Sequence, residues 1–457
     1  MSVHDVRHKR VVVLGLARSG LAAISLLIRK GAEVIGSDVL RREELSEDVS
    51  HLEREGARIE CGGHSDSLLE AAEYVVLSPG VPADLSLLHH ARTRGIPVVG
   101  EIEVASWFCR APIVAVTGSN GKTTTTALVG DIFERDGWTV VVAGNIGSPF
   151  SAVADSLPPE GIAVVEVSSF QLETIDAFQP EVSVMLNLSP DHLDRHAGYD
   201  AYVAAKARIF ENQDEGNVAV VNADDTAVMA LAEEIRPRVV PFSGGKPLSE
   251  GVTVSQETLV ARYSGTEKKI CPLEQIRLRG PHNLSNAAAA VAVADTLGVA
   301  PSHIREALRN FSGVEHRLER VADVDGVSFV NDSKATNVVS VQSALLSFEE
   351  PIILIAGGRD KGTDFMPLRR LAADKVKLLI LIGEAAPKLK EALGDVVLTA
   401  DAESMEEAVE LAYRSARRGE CVLLSPACAS FDMYENFEER GTRFKEAVQR
   451  IAGRSKR

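Results

Sequence analysis

Short runs rich in Val, Ile and Leu recur along this sequence, and longer stretches with apolar positions at helical spacing lie between them. This alternation predicts an α/β fold, with parallel sheets covered by helices. The chain opens with a strand at Val11–Leu14, a glycine-bearing loop, a helix at Leu21–Arg29 and a strand at Glu33–Ile35. Further strands read at Tyr74–Leu77 and Ile96–Val99. The pattern restarts at Pro112, where the strand Ile113–Val116 runs into a Gly-rich loop and a Thr-rich helix. Strands recur at Thr139–Val142, Ala163–Val167, Val182–Leu186 and Val218–Val221. Periodicity weakens between Val240 and Arg279, where hairpins or a peripheral flap are expected, and helices return at Asn286–Leu297 and Ser302–Asn310. A third start near Gly313 leads to strands at Val327–Val330, Ile352–Ile355, Leu378–Ile382 and Cys421–Leu424. Three starts predict three domains, 1–102, 103–312 and 313–457, each a mainly parallel sheet with flanking helices.

Length supports that division, because 457 residues exceed what one core organises. The net charge of -16 argues against a sequence-blind nucleic-acid binder, which needs a basic surface. It also means that an anionic substrate must be held by local Lys, Arg and backbone N–H groups. Cys61, Cys109, Cys271, Cys421 and Cys428 form no C-x-x-C pair, which fits buried thiols in a reducing cytosol better than disulfides or zinc. The polar start and the absence of a long apolar run predict no signal peptide, no membrane insertion and a cytoplasmic location.

The strongest local signal is Val116-Thr117-Gly118-Ser119-Asn120-Gly121-Lys122-Thr123-Thr124, between a strand and a helix. In that setting successive N–H groups and the helix N-terminus face a phosphate, Lys122 adds a cation, and the Thr123 hydroxyl is placed for Mg²⁺. The strict phosphate-loop pattern asks for Gly where Val116 stands. ATP or GTP binding follows, but not its use.

Glu166 ends an apolar strand and precedes Ser168-Ser169-Phe170-Gln171-Leu172-Glu173, so it belongs to the strand ends where open α/β sheets bind ligands. It reads either as a metal ligand or as a solvated or capping acid. After the next strand comes Asn187-Leu188-Ser189-Pro190-Asp191-His192-Leu193-Asp194-Arg195-His196. Flanking Asp191 and Asp194 lift His192 above the structural role of most single histidines. Lys206 lies among Ala204, Ala205 and Ala207: desolvation there would favour the neutral, reactive amine, whereas the other reading is a lysine reaching out to water.

The strings TGSNGKTT, GNIG, EVSSFQLE, NLSPDHLDRH, AAKARIF, VVNADD, HNLSNAAAA, EHRLE, NDSKATN and SPACASFDMYENFEERG occur in this order. Together they resemble the Mur ligase family along nearly the whole chain, and SSFQLE, NDSKATN and SPACAS resemble its D-glutamate-adding branch. The resemblance implies an N-terminal Rossmann-like domain for the uridine nucleotide, a central P-loop ATPase, and a C-terminal domain with a dinucleotide-like fold. It implies Gly118, Ser119, Asn120, Gly121, Lys122, Thr123, Thr124, Asn283, Asn286, Arg317 and Asp332 for ATP. Thr123, Glu166, His192 and Lys206, the last as a carbamate, are implied as ligands of two Mg²⁺ ions, and Lys122, Glu166, His192 and Lys206 as the catalytic set. Arg18, Ser19, Asp38, Ser78, Asn145 and Ser168 are implied for the UDP-linked substrate. Lys334, Thr336, Lys361, Ser430, Phe431 and Phe437 are implied for D-glutamate, whose two carboxylates suit lysines and hydroxyls.

The loop Gly15-Leu16-Ala17-Arg18-Ser19-Gly20 lacks the middle glycine of a dinucleotide fingerprint, which disfavours NAD. The reaction implied is ATP-dependent addition of D-glutamate to UDP-N-acetylmuramoyl-L-alanine through an acyl phosphate, by a monomer, with the C-terminal domain closing onto the nucleotide. Alternatives are a relative adding another amino acid, a folate polyglutamate ligase, a nucleotide switch or transport ATPase, and a nicotinamide oxidoreductase. A switch would hydrolyse ATP without any amino acid, and an oxidoreductase would bind NAD(H).

Overall fold

Three sheets of mostly parallel, buried strands organise the chain in this computed structural model, which describes residues 5–45, 48–82, 85–191, 195–278, 280–360 and 362–455. The first contains β1 (Arg10–Leu14), β2 (Glu33–Asp38), β3 (Arg58–Cys61), β4 (Tyr74–Leu77) and β5 (Val98–Gly100). Its order is β3-β2-β1-β4-β5, all parallel, so the chain changes direction between β1 and β4. Such a switch leaves a crevice at the strand ends, the usual place for a ligand.

The second sheet contains β6 (Ile113–Thr117), β7 (Val140–Gly144), β8 (Ile162–Glu166), β9 (Val182–Met185), β10 (Val218–Asn222), β11 (Arg238–Phe242), β12 (Gly251–Ser255), β13 (Thr258–Tyr263) and β14 (Thr266–Pro272). Its order is β14-β13-β12-β11-β10-β9-β6-β8-β7. Every residue of β6, β8, β9 and β10 is buried, as expected where helices cover both faces and the strand reads as one apolar run. The pattern-poor stretch after Val240 folds as the antiparallel meander β12–β14 at the sheet's edge. The third sheet contains β15 (Glu319–Val324), β16 (Val327–Asn331), β17 (Ile352–Gly357), β18 (Val376–Ile382), β19 (Thr399–Asp401) and β20 (Cys421–Leu424). Its order is β15-β16-β20-β17-β18-β19, with β15 antiparallel to β16 and the rest parallel.

These are the three mainly parallel, helix-flanked sheets that the sequence pattern predicts. By internal contacts the chain forms two compact units: Met1–Leu273 with Ser285–Leu308, which holds the first two sheets, and Glu274–Leu284 with Arg309–Arg457, which holds the third. The first two sheets share a unit because the helix Glu101–Phe108, leaving β5, carries two buried carboxylates into the central domain. Glu101 accepts from the backbone N–H and the hydroxyl of Ser151, both at 2.6 Å. Glu103 accepts from the N–H groups of Asp176 (2.9 Å), Ala177 (3.1 Å) and Phe178 (2.9 Å), and from Trp107 Nε1 (2.7 Å). Arg29 and Lys30 add ion pairs to Asp155 at 3.1 and 3.0 Å. These donors offset the cost of burying charge: Glu103 accepts on both oxygens, while Glu101 Oε2 has no partner among the described residues and burial pushes the Glu101 pKa up.

Candidate active site

Beyond β6 the chain turns through Gly118 and Gly121 into the helix Lys122–Arg135. Both glycines have positive φ, +147° and +84°, and a β-carbon at Gly121 would lie 2.2 Å from Oδ1 of Asn286. Val116 replaces the expected glycine because it still belongs to β6, where it is buried and accepts from the N–H of Val167. Asn187, just after β9, braces the loop: its Oδ1 accepts from Asn120 N at 2.8 Å and its Nδ2 donates to Asn120 O at 3.0 Å. Lys122 Nζ folds back and donates to Gly118 O (2.7 Å) and Ser119 O (2.9 Å). Thr123 and Thr124 are buried in the first helical turn, which leaves a tight cradle of backbone N–H groups around the helix start.

Two further groups meet this loop. Lys206, on the helix Tyr199–Ala207, is 1 % exposed and donates to Gly118 O at 2.9 Å and Thr117 Oγ1 at 3.3 Å. Burial holds its ammonium pKa well below the ordinary value; the Lys122 charge pushes the same way, and the Asp191 and Glu166 carboxylates oppose it. Glu166 ends β8, beside β6, with Oε1 accepting from Asn145 Nδ2 at 2.8 Å. Its Oε2 is buried and has no hydrogen-bond partner among the described residues. A hard oxygen left unsatisfied beside a phosphate cradle fits a Mg²⁺ ligand, so the donor set suits that ion. His192 lies outside the described residues.

At the switch point of the first sheet, Ser78 Oγ donates to Gly15 O at 3.1 Å. Asp38 accepts from Leu16 N at 2.6 Å and Leu40 N at 2.9 Å, so its carboxylate shapes the loop ahead of Arg18 and Ser19. Arg18 donates to Gly147 O at 2.9 Å, which joins this loop to the Asn145–Ser148 turn of the central domain. Ser168 caps the helix Ser169–Leu172 and exchanges hydrogen bonds with Gln171.

In the second unit, Asp332 follows β16 and accepts from Leu318 N (3.2 Å) and Ser425 Oγ (2.9 Å). Burial pushes its pKa up to about 7 against the pull of Arg317, whose own Nε is buried without a partner among the described residues. Lys334 Nζ stands 5.5 Å over the Phe437 ring, Thr336 is half-buried, Ser430 is buried and Phe431 is 62 % exposed. Lys361 lies outside the described residues, and Asn283 is buried in the helix Pro281–Thr296, which begins before the expected Asn286. Glu315, His316 and Glu319 offer ligand atoms within 4.8 Å of one another, but Lys445 pairs with both carboxylates, which makes them an ion-pair cluster.

Family models match in chain order: the MurD-like N-terminal domain of Mur ligases at residues 9–100, the Mur ligase middle domain at 116–294, and the Mur ligase glutamate ligase domain at 316–428. The chain belongs to the Mur ligase family. It is 47% identical over 448 residues to the UDP-N-acetylmuramoylalanine–D-glutamate ligase of Pelotomaculum thermopropionicum, covering 97% of this chain and 98% of that one. The ligase of the same name from Koribacter versatilis is 43% identical over 453 residues, covering 99% and 100%. Among solved structures, MurF of Thermotoga maritima in complex with ADP superposes with TM-score 0.61 at 17% identity, over 99% and 97% of the two chains. A pseudomurein peptide ligase from Methanothermus fervidus gives 0.60 at 20%, over 97% and 100%. These structures share the fold.

This Mur ligase also holds groups that sequence reasoning does not single out. Arg440 is fully buried and donates to Ser333 Oγ (3.0 Å), Ser333 O (2.8 Å), Cys428 O (3.0 Å) and Ala429 O (3.2 Å). It thereby ties the segment leading to Lys334 to the one leading to Ser430. Tyr202 OH lies 2.7 Å from Ser119 Oγ, under the phosphate loop. In sequence each is one polar residue in a helical stretch, and only the position of Arg440 inside SPACASFDMYENFEERG hints at a role.

Proposed function

We propose that this Mur ligase joins UDP-N-acetylmuramoyl-L-alanine to D-glutamate, converting ATP to ADP and phosphate, as the names of its relatives at 43% to 47% identity indicate for those enzymes. The observation that carries the reading is the meeting of Lys122, Lys206 and Glu166 at the ends of β6 and β8. A triphosphate laid on the N–H cradle there meets these three cationic or metal-recruiting groups at its transferable end.

The L-alanyl carboxylate attacks the γ-phosphorus, the bond to ADP breaks, and an acyl phosphate forms. The D-glutamate amine then attacks the acyl carbon and gives up a proton, and phosphate leaves with the electron pair. Lys122 stabilises charge on the phosphoryl group once it turns from Gly118 O toward it. Thr123, Glu166, His192 and a carbamylated Lys206 would hold two Mg²⁺ ions, which supply Lewis-acid charge neutralisation. Desolvation favours the neutral amine of Lys206, the form suited to capture CO₂. Gly118 through Thr124, with Asn283, Asn286, Arg317 and Asp332, are assigned to ATP. Arg18, Ser19, Asp38, Ser78, Asn145 and Ser168 take the UDP substrate. Lys334, Thr336, Lys361, Ser430, Phe431 and Phe437 take D-glutamate. The same reading makes the enzyme a cytoplasmic monomer with no nucleic-acid partner. Among the described residues no helix is long and apolar enough to cross a membrane.

Phosphate release with ATP and UDP-N-acetylmuramoyl-L-alanine, comparing D-glutamate, L-glutamate and diaminopimelate, tests the assignment. D-Glutamate alone should support turnover; turnover restricted to the diamino acid overturns it.

A further inference from the structure

Close to the phosphate loop, a cluster of side chains with no role in the scheme above closes around His196. The ring is 6 % exposed. Its Nε2 lies 3.0 Å from Ser169 Oγ and its Nδ1 lies 3.2 Å from Glu173 Oε1. A carboxylate only accepts, so a hydrogen on Nδ1 suits the Glu173 side, and in that neutral tautomer Nε2 accepts from the Ser169 hydroxyl. One face of the ring stacks on Phe170, with centroids 5.2 Å apart and planes 6° from parallel, while Arg195 lies 4.6 Å from the Phe170 centroid. Tyr202 meets the ring edge-on at 5.3 Å and reaches Ser119 of the phosphate loop with its hydroxyl. A continuous path therefore runs from the helix Ser169–Leu172, through His196 and Tyr202, to the loop that cradles phosphate.

Serine, histidine and carboxylate in this order match the arrangement of a nucleophilic relay. Ser169, however, is 2 % exposed in the first turn of a helix, so a carbonyl has no approach to its oxygen. The cluster holds; it does not react.

We propose that His196 is a positioning residue of the ligase site, fixing Ser168 and its helix against the phosphate loop so that the acyl carboxylate is presented in line with the γ-phosphate. This rests on the substrate reading above for what Ser168 touches, but not for the clasp itself. Small misplacements of a reacting group are costly, so loss of a clasp of this kind should show in kinetics.

His196→Phe keeps the stacking and removes the hydrogen bond to Ser169 and the polar contact with Glu173. Its KM for UDP-N-acetylmuramoyl-L-alanine should rise roughly five- to tenfold, with the KM for ATP within about twofold of the parent. His196→Gln places an amide where Nε2 was, regains the contact with Ser169, and should recover most of the loss. Without substrate, amide exchange in a peptide spanning 166–176 should quicken about tenfold in the Phe variant while residues 113–117 stay protected. An unchanged exchange rate, an unchanged KM for the nucleotide-linked substrate, or no recovery with Gln each overturns the proposal. If the parent enzyme turns over no such substrate while exchange responds as expected, the substrate reading fails and the clasp stands.

Discussion

Lys122 and Lys206 both donate to one carbonyl oxygen, that of Gly118, at 2.7 and 2.9 Å. Two ammonium groups so placed repel, and the more deeply buried one yields its proton more readily. Lys206 is that group, with burial the larger cause and the Lys122 charge the second. A neutral amine is the form that adds CO₂. Lys206→Ala should therefore cut phosphate release by about a hundredfold or more, and added formate or acetate should recover part of it. Full activity of the variant would remove Lys206 from the chemistry. Labelled bicarbonate should give the parent a carbamate carbon signal that the variant lacks.

Asn145 directs Glu166 by holding one of its carboxylate oxygens, and the other has no hydrogen-bond partner among the described residues. Groups that orient a metal ligand typically matter by about 10- to 100-fold in metal affinity or activity. Asn145→Ala should thus raise the Mg²⁺ concentration for half-maximal rate by about tenfold. Glu166→Gln should lower the rate by a larger factor at every Mg²⁺ concentration. Equal Mg²⁺ titrations for parent and Asn145→Ala would count against the assignment.

Arg440 has burial pushing its pKa down to about 10, so it remains a cation at neutral pH. Arg440→Met leaves the carbonyls of Ser333, Cys428 and Ala429 without this donor and should cost about 3 kcal/mol in urea unfolding. Arg440→Lys should retain only part of that stability, because an ammonium cannot span the same fork. The Lys variant should also raise the KM for D-glutamate, since the tied segments lead into Lys334 and Ser430. A KM equal to the parent's would limit Arg440 to stability.

Asp332 is a carboxyl whose pKa rises on folding from 3.8 to about 7, chiefly through burial. The folded chain keeps a proton that the unfolded chain has lost, so this group's stabilising contribution falls as pH rises from about 4 to about 7, and is flat above. Asp332→Asn should lose that dependence. Urea midpoints across this range should decline less steeply for the variant than for the parent, and parallel curves would contradict the argument.

Local physics made much of this legible. The phosphate loop, Glu166 at a strand end and the three-sheet architecture are written in contiguous residues, where apolar runs and glycines announce themselves. Lys206 was readable two ways from its alanine neighbours, and the structure buries it. β3 and β19 escaped because each is short and carries no buried residue. Arg440 and His196 escaped for another reason: their partners Ser333 and Ser169 lie 107 and 27 residues away, and no periodicity reports contacts of that kind.

Glu101 and Glu103, locked onto Ser151 and the 176–178 backbone, have a practical meaning for inhibitor chemistry. They hold the crevice beside Gly15 and the cradle beside Lys122 within one compact body. A two-headed compound aimed at both can therefore carry a stiff spacer cut to a single length, and rigidity there spares the entropy that a floppy tether would forfeit on binding.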